Sequence, residues 1–462
     1  MNSSVTSLIP GTHRAIRRIP APVRVLLLLL CLCSPAFTQE KLRIRVANNT
    51  VLVPVRISHR DLTFILDTGS DLSAIDGAVA QELGVTGTGA VPVLRNYRQQ
   101  GSEVIEVPSL GIGRRIFSHK SLGTLDLTHV SAAVGVHVDG IVGSDILQTA
   151  LWHLNYSRQE ITIGPSEPIE RLGRVIELRR DGDEYYVPLK IASVPVELLL
   201  DSGTNSTNLS PETWHRVSQV WQPPAVIEGV VRAGLPVPPA FLVCLPSISL
   251  GDETLTNQVT RVQRSVTTGA FSDPGFGGIL GTDFLRQFEV TLDLAHSRLF
   301  LKKDPGFKPD PYRYTTIGIQ FANDPNGDHV VMSVWKDSPA EEAGMKAGDI
   351  IKAVNGQSAR DLSLEQLGNQ LHGPEGTPVR LIVERSSVSF AVTVRTRQML
   401  CSSENLRNAL RAAQKWRQQP WMVSATENPC GSREKLVGPR GRFSNFSAAR
   451  GLKSRHVYGM RS

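Results

Sequence analysis

Thr63-Phe64-Ile65-Leu66-Asp67-Thr68-Gly69-Ser70 sets an ionisable carboxylate directly after an apolar, strand-like run and follows it with hydroxyl, glycine, hydroxyl. The pattern returns as Glu197-Leu198-Leu199-Leu200-Asp201-Ser202-Gly203-Thr204. At average residue frequencies one Asp-[Ser/Thr]-Gly-[Ser/Thr] in a chain this long has a chance on the order of a few per cent, and two copies with apolar leaders are far rarer. The flanks repeat too. Thirteen residues before each Asp stands a proline in like company, Val53-Pro54-Val55 and Val187-Pro188-Leu189. Downstream come Pro108-Ser109-Leu110-Gly111 and Pro246-Ser247-Ile248, then Gly140-Ile141-Val142-Gly143-Ser144-Asp145 and Gly278-Ile279-Leu280-Gly281-Thr282-Asp283. Such a duplication, about 135 residues long, exceeds a solenoid period and suits two lobes of one domain.

An apolar-apolar-Asp-[Ser/Thr]-Gly-[Ser/Thr] turn with a later apolar-apolar-Gly resembles the signature of aspartic peptidases of the pepsin and retropepsin type, over roughly residues 42–303. The short lobes are similar to retropepsin rather than pepsin. The resemblance implies a mainly β fold, a bilobal acid-protease (retropepsin-like) pair of β-barrels, with lobe 1 over 42–165 and lobe 2 over 175–303. Retropepsins draw one Asp from each of two identical chains; here one chain carries both, Asp67 and Asp201. The same resemblance gives Gly69 and Gly203 the task of turning the backbone close to its symmetry mate, and Thr68 and Ser202 hydrogen bonds across the lobes. It has Ser70 and Thr204 donate to the carboxylates, as hydroxyls can.

Two carboxylates within hydrogen-bond distance do not both ionise easily, so the pair holds one proton. The ionised member takes a proton from a bridging water and the other polarises the scissile carbonyl. With the resemblance, which implies an aspartic endopeptidase acting on extended peptide or unfolded protein, this predicts activity favouring acidic to mildly acidic pH. Taken singly, either Asp would serve as an Asx-turn or helix N-cap residue, and Asp145 and Asp283 are expected to be such N-caps. Two further readings stay open: a catalytically silent peptide-binding scaffold, and a protease active only as a homodimer.

The 462 residues, 40% of them apolar, allow two or three domains. Residues 1–38 read as a signal peptide: Arg14, Arg17, Arg18 and Arg24 precede nine apolar residues, Val25 to Cys33, and then Ala36-Phe37-Thr38. Nine residues are too few to span a bilayer, so an exported, periplasmic or secreted chain is expected ahead of an N-terminally anchored one. Cys401 is expected to bridge Cys430, leaving Cys244 as a buried apolar residue. No cofactor is expected, and no His, Cys or Glu spacing suggests a metal site. A short helix is expected over Ala78 to Leu83, and flap hairpins over 90–106 and 225–241. Asn-x-Ser/Thr triplets begin at Asn48, Asn155, Asn205 and Asn445 and are read as incidental.

A Pro-rich linker over 304–312 leads to a unit, residues 313–397, that resembles a PDZ domain of the kind attached to bacterial envelope proteases. Its marks are Ile317-Gly318-Ile319, Ser338-Pro339-Ala340, Gly348-Asp349-Ile350-Ile351 and Val354-Asn355-Gly356. The resemblance implies that the backbone of Ile317, Gly318 and Ile319 receives a peptide's terminal carboxylate while the peptide adds as an edge strand. A mere packing module is the plainer alternative. Residues 401–462 hold twelve Lys or Arg against three Glu, so the net +7 of the chain belongs to its tail. That tail is expected to be disordered and solvated. No nucleic acid partner is expected, nor a membrane span in the mature chain.

Overall fold

The computed structural model describes residues 39–401 apart from 86, 88–102, 166, 224, 231–239 and 265–269. The leader, most of the first flap candidate and all of the tail after Cys401 lie outside the described residues.

Strand β1 (Glu40–Arg43) precedes a hairpin of β2 (Thr50–Ile57) and β3 (Arg60–Leu66), in which Leu52 faces Ile65. Leu62, Phe64, Ile65 and Leu66 are all buried. Burial on both faces replaces the usual polar alternation with a continuous apolar run, and that run delivers the chain to Asp67. Strand β4 (Ala74–Asp76) leads into α1 (Gly77–Glu82), where the Asp76 carboxylate caps Ala78 N–H at 2.9 Å. The helix begins one residue before the expected span. A long hairpin, β5 (Val104–Ile112) and β6 (Arg115–Leu125), is followed by α2 (Thr128–Val134), β7 (Gly140–Val142), α3 (Ser144–Leu147), β8 (Trp152–Asn155) and β9 (Glu160–Ile163).

The second lobe repeats this order. After β10 (Arg174–Glu177), strands β11 (Glu184–Ile191) and β12 (Val194–Leu200) form a hairpin through Ala192 and Ser193. Both turn residues have positive φ, 48° and 77°, the sense that matches strand twist in two-residue hairpins. Then come β13 (Asn208–Leu209), α4 (Pro211–Ser218), β14 (Val226–Val230), β15 (Ala240–Leu250) and β16 (Glu253–Val262). The lobe ends with β17 (Gly278–Leu280), α5 (Thr282–Leu285), β18 (Phe288–Asp293) and β19 (Arg298–Lys303).

One six-stranded sheet, in the order β1-β9-β8-β18-β19-β10, draws strands from both lobes and ties them together. Its central pair sets Trp152 opposite Leu292 and Leu154 opposite Val290, all buried. The architecture is mainly β, two-lobed and retropepsin-like.

A third unit follows: β20 (Ile319–Asn323), β21 (His329–Val334), α6 (Pro339–Glu342), β22 (Ile350–Val354), α7 (Leu364–Gln370), β23 (Pro378–Arg385) and β24 (Val388–Arg395). Its sheet runs β20-β21-β22-β23-β24, with β20 at one edge. The marks read in the sequence have local causes. Ser338 caps α6 by accepting Glu341 N–H with Pro339 in the first turn, and Asn355 and Gly356 turn with φ of 49° and 85°. Asp349 is fully buried and pairs with Arg385 at 2.6 Å.

The cysteine expectation is corrected. Cys244 on β15 is bonded to Cys401, with a Cα–Cα distance of 5.4 Å. Leu400 packs with Ile227, Val230 and Trp335 in a small cluster between β14 and the PDZ unit, which brings the neighbouring Cys401 to β15. Cys430 lies outside the described residues. Strands β14 and β15 are the arms of the second flap candidate, and its tip, 231–239, is likewise not described.

Candidate active site

Each Asp-bearing turn hangs from a strand held by a parallel neighbour. Strand β3 pairs with β7, Leu66 against Val142, and Asp67 N–H donates to Val142 O at 3.0 Å. In the second lobe β12 pairs with β17, Leu200 against Leu280, and Asp201 N–H donates to Leu280 O at 3.2 Å. The repeated Gly-Ile-Val-Gly and Gly-Ile-Leu-Gly are therefore the strands that hold the Asp-bearing ones.

Asp67 and Asp201, 134 residues apart in sequence, lie close enough for the charge of one to act directly on the other. The glycines explain how this is possible. A Cβ on Gly69 would lie 2.7 Å from Asp201 Cγ, and one on Gly203 would lie 2.4 Å from Asp67 Cγ. Each glycine floor thus supports the opposite lobe's carboxyl, and close approach is what requires a glycine there.

Thr68 and Ser202 cross between the lobes in four buried hydrogen bonds. Thr68 Oγ1 donates to Leu200 O at 2.7 Å and accepts Ser202 N–H at 3.0 Å. Ser202 Oγ donates to Leu66 O at 2.9 Å and accepts Thr68 N–H at 3.0 Å. Each hydroxyl donates once and accepts once, both times with backbone of the other lobe, fixing both turns in one frame.

The support is not symmetric. Asp201 Oδ1 accepts Gly203 N–H at 3.0 Å and Thr204 N–H at 2.8 Å, while Thr204 Oγ1 donates to Oδ2 at 2.8 Å. Asp67 accepts Gly69 N–H at 2.8 Å. Ser70 does not do what was expected of it: its hydroxyl donates to Leu72 O at 2.8 Å, because the turn after Ser70 bends that carbonyl back within reach. Burial, and then the charge of Asp201, push the Asp67 carboxyl well above the usual carboxylate range, against the pull of the backbone N–H groups of Gly69 and Gly203.

Asp145 and Asp283 do not cap α3 and α5; Gly143 and Gly281 stand at those N-caps. Both carboxylates instead turn to the loops that follow Asp67 and Asp201. Asp145 Oδ1 accepts from Ser73 N–H and Oγ at 2.9 and 2.6 Å, and Asp283 Oδ1 accepts from Thr207 N–H and Oγ1, both at 2.8 Å. The sequence signal was their fixed place two residues after the second glycine of each repeat. Asp71, missed from sequence, is held above the usual range by burial and by Glu184 and Asp183 of the second lobe.

Of the PDZ residues, Ile317 is fully buried and its N–H is already given to Leu371 O at 3.2 Å. Gly318 has φ +86°, and a Cβ there would lie 2.3 Å from Ser338 Cβ. Ile319 opens the edge strand β20.

Residues 187–284 match the family model described as aspartyl protease, and residues 330–385 match that of the PDZ domain. The chain carries an aspartyl protease domain and a C-terminal PDZ domain. Curated relatives include a "Probable CtpA-like serine protease" of Staphylococcus saprophyticus, 29% identical over 117 residues, 25% of this chain and 24% of that protein. One of the same description from Staphylococcus aureus is 37% identical over 70 residues, 15% of this chain and 14% of its own length. The chain thus spans at most about a quarter of these relatives. Among solved structures, an aspartic proteinase from Irpex lacteus is 13% identical, covering 58% of this chain and 98% of its own, with a TM-score of 0.35. A retropepsin-like aspartic protease from Rickettsia conorii is 16% identical, covering 27% and 91%, with a TM-score of 0.21.

Proposed function

We propose that this chain is an exported endopeptidase of the aspartic type, which cleaves extended peptide with a water held between Asp67 and Asp201. The observation that carries this reading is the reciprocal seating of each carboxyl on the other lobe's glycine. Asp201, with three donors aimed at it, takes a proton from the water. Asp67, kept protonated by burial and by its neighbour, gives its proton to the carbonyl oxygen as the water oxygen bonds to the carbonyl carbon. The proton on Asp201 then passes to the leaving nitrogen as the C–N bond breaks, and Asp67 regains the proton from the collapsing diol. No covalent intermediate forms.

The PDZ domain takes a peptide's C-terminus along β20, between that strand and α7. A disulfide between Cys244 and Cys401 fits an oxidising compartment and so supports export. The serine-protease name of the curated relatives belongs to proteins of which this chain covers a minor part.

The test is hydrolysis of unfolded casein with a serine-directed sulfonyl fluoride present and absent, beside Asp201→Asn. Cleavage should resist the reagent and vanish with the substitution. Cleavage that the reagent abolishes and Asp201→Asn leaves intact would overturn the aspartic mechanism.

A further inference from the structure

The peptide groove of the PDZ domain has two walls, the edge strand β20 and the helix α7. Phe321 on β20 reaches toward α7, its Cζ 3.9 Å from where a Cβ on Gly368 would stand. One segment of the first lobe touches both walls. Helix α2 packs against β20, and Gly135, which ends α2, meets Leu364 at the start of α7. A Cβ on Gly135 would stand 2.7 Å from Leu364 Cδ1 and 3.3 Å from its Cβ.

The seat is built from the lobe side as well. Gly135 closes the helix in the left-handed conformation, φ +83°, with its N–H on Ser131 O at 2.8 Å. Asn48 Nδ2 donates to Ala133 O at 2.7 Å. Leu127 and Val134, which bracket the helix, are buried in a cluster with Ile65 and Ile141, on the strands that hold Asp67. Next to Leu364, Glu365 lies within electrostatic reach of Arg286 in the second lobe. One segment thus touches both walls, β20 and the start of α7.

We propose that α2 is a latch that closes the PDZ groove from within the same chain, so that a peptide C-terminus and α2 compete for one surface. This rests on the peptide-binding reading of β20 and α7 and adds its regulation. By linkage, whatever loosens α2 from its seat tightens peptide binding, and bound peptide loosens α2 in equal measure. Since α2 joins the return strand of the β5–β6 hairpin to β7, whose Val142 carbonyl holds Asp67 N–H, the latch is one strand and one hydrogen bond from the Asp67 turn.

The test uses the full chain with Asp201→Asn, so that no probe is cleaved. The probe is a fluorescein-labelled pool of decapeptides randomised over the last four positions, compared with the same pool amidated. Gly135→Asn keeps a residue tolerant of positive φ and drives a side chain into the Leu364 contact. It should bind the free-carboxylate pool at least about tenfold more tightly, as expected when the competent state was a minor one. Gly135→Cys with Leu364→Cys brings two Cβ atoms within a few tenths of an ångström of disulfide spacing. Oxidised, it should bind no pool, and reduction should restore binding, with the single Leu364→Cys chain as control for the change to the groove. Equal affinity of Gly135→Asn and its parent, or undiminished binding by the oxidised pair, overturns the latch. Failure of every variant to prefer the free carboxylate overturns the peptide-binding reading, and the latch with it.

Discussion

Replacing Thr68 by valine keeps the side-chain volume and deletes one hydroxyl. That hydroxyl donates to Leu200 O at 2.7 Å and accepts Ser202 N–H at 3.0 Å, and Thr68 is 1% exposed. Valine therefore leaves two buried backbone groups without partners, at a cost of about 1–3 kcal/mol each. The added methyl returns under about 1 kcal/mol. The net loss should be about 3 kcal/mol, read as a fall in the urea midpoint at unchanged m. Because Leu200 immediately precedes Asp201, kcat should fall as well. Thr68→Ser, which keeps the hydroxyl, should recover most of both. A Thr68→Val chain within about 1 kcal/mol of the parent and equally active would refute a dry, shared crossing between the two turns.

The glycine floor makes a sharper demand. Gly203→Ala would put a methyl 2.4 Å from Asp67 Cγ, and should cost at least about a hundredfold in kcat/KM through misplacement. Gly77→Ala, whose methyl would meet nothing nearer than Leu125 O at 3.8 Å, should leave hydrolysis unchanged; equal effects would contradict the seating. Asp67 gives a linkage test. Its pKa is raised in the folded chain, so the folded state binds the extra proton between the unfolded and folded values, and stability falls as pH rises through that window. Asp67→Asn should therefore match the parent at low pH and become relatively more stable as pH rises, by thermal melting. A gap that narrows with pH would reverse the sign and sink the assignment of the proton to Asp67. Cys401→Ala opens a bridge between residues 157 apart, which the chain-entropy view values at about 5 kcal/mol. The melting midpoint should drop, as it should in the parent under reductant, and an unmoved midpoint would argue against the bond.

Much of the site was legible because the chain states it twice. Asp67 and Asp201 share apolar leaders, trailing glycines and later Gly-Ile-x-Gly strands, and a pattern repeated at matched spacing survives the ambiguity of any single copy. The crossing of Thr68 and Ser202 followed from the resemblance and from hydroxyl chemistry. What could not be read depended on where tertiary structure brings distant chain. Ser70 bonds to its own loop because a local bend puts Leu72 O there. Asp145 and Asp283 looked like caps because each begins a helical turn, yet the loops of Ser73 and Thr207 reach them first. Cys244 finds Cys401 through the packing of Leu400 on Ile227 and Trp335, a meeting that no spacing encodes. Helix α2, Thr-His-Val-Ser-Ala-Ala-Val, is too short and too rich in β-branched residues to announce itself.

The central claim is that one chain builds one dyad from Asp67 and Asp201. Measuring kcat/KM on unfolded casein for Asp67→Asn and Asp201→Asn separately, each checked for native folding, tests it most directly. Both should lose at least about a thousandfold, as fits removal of either partner in general acid–base work. A folded single variant that keeps more than about a tenth of the parent rate would mean that its partner acts without it, and the shared dyad would be wrong.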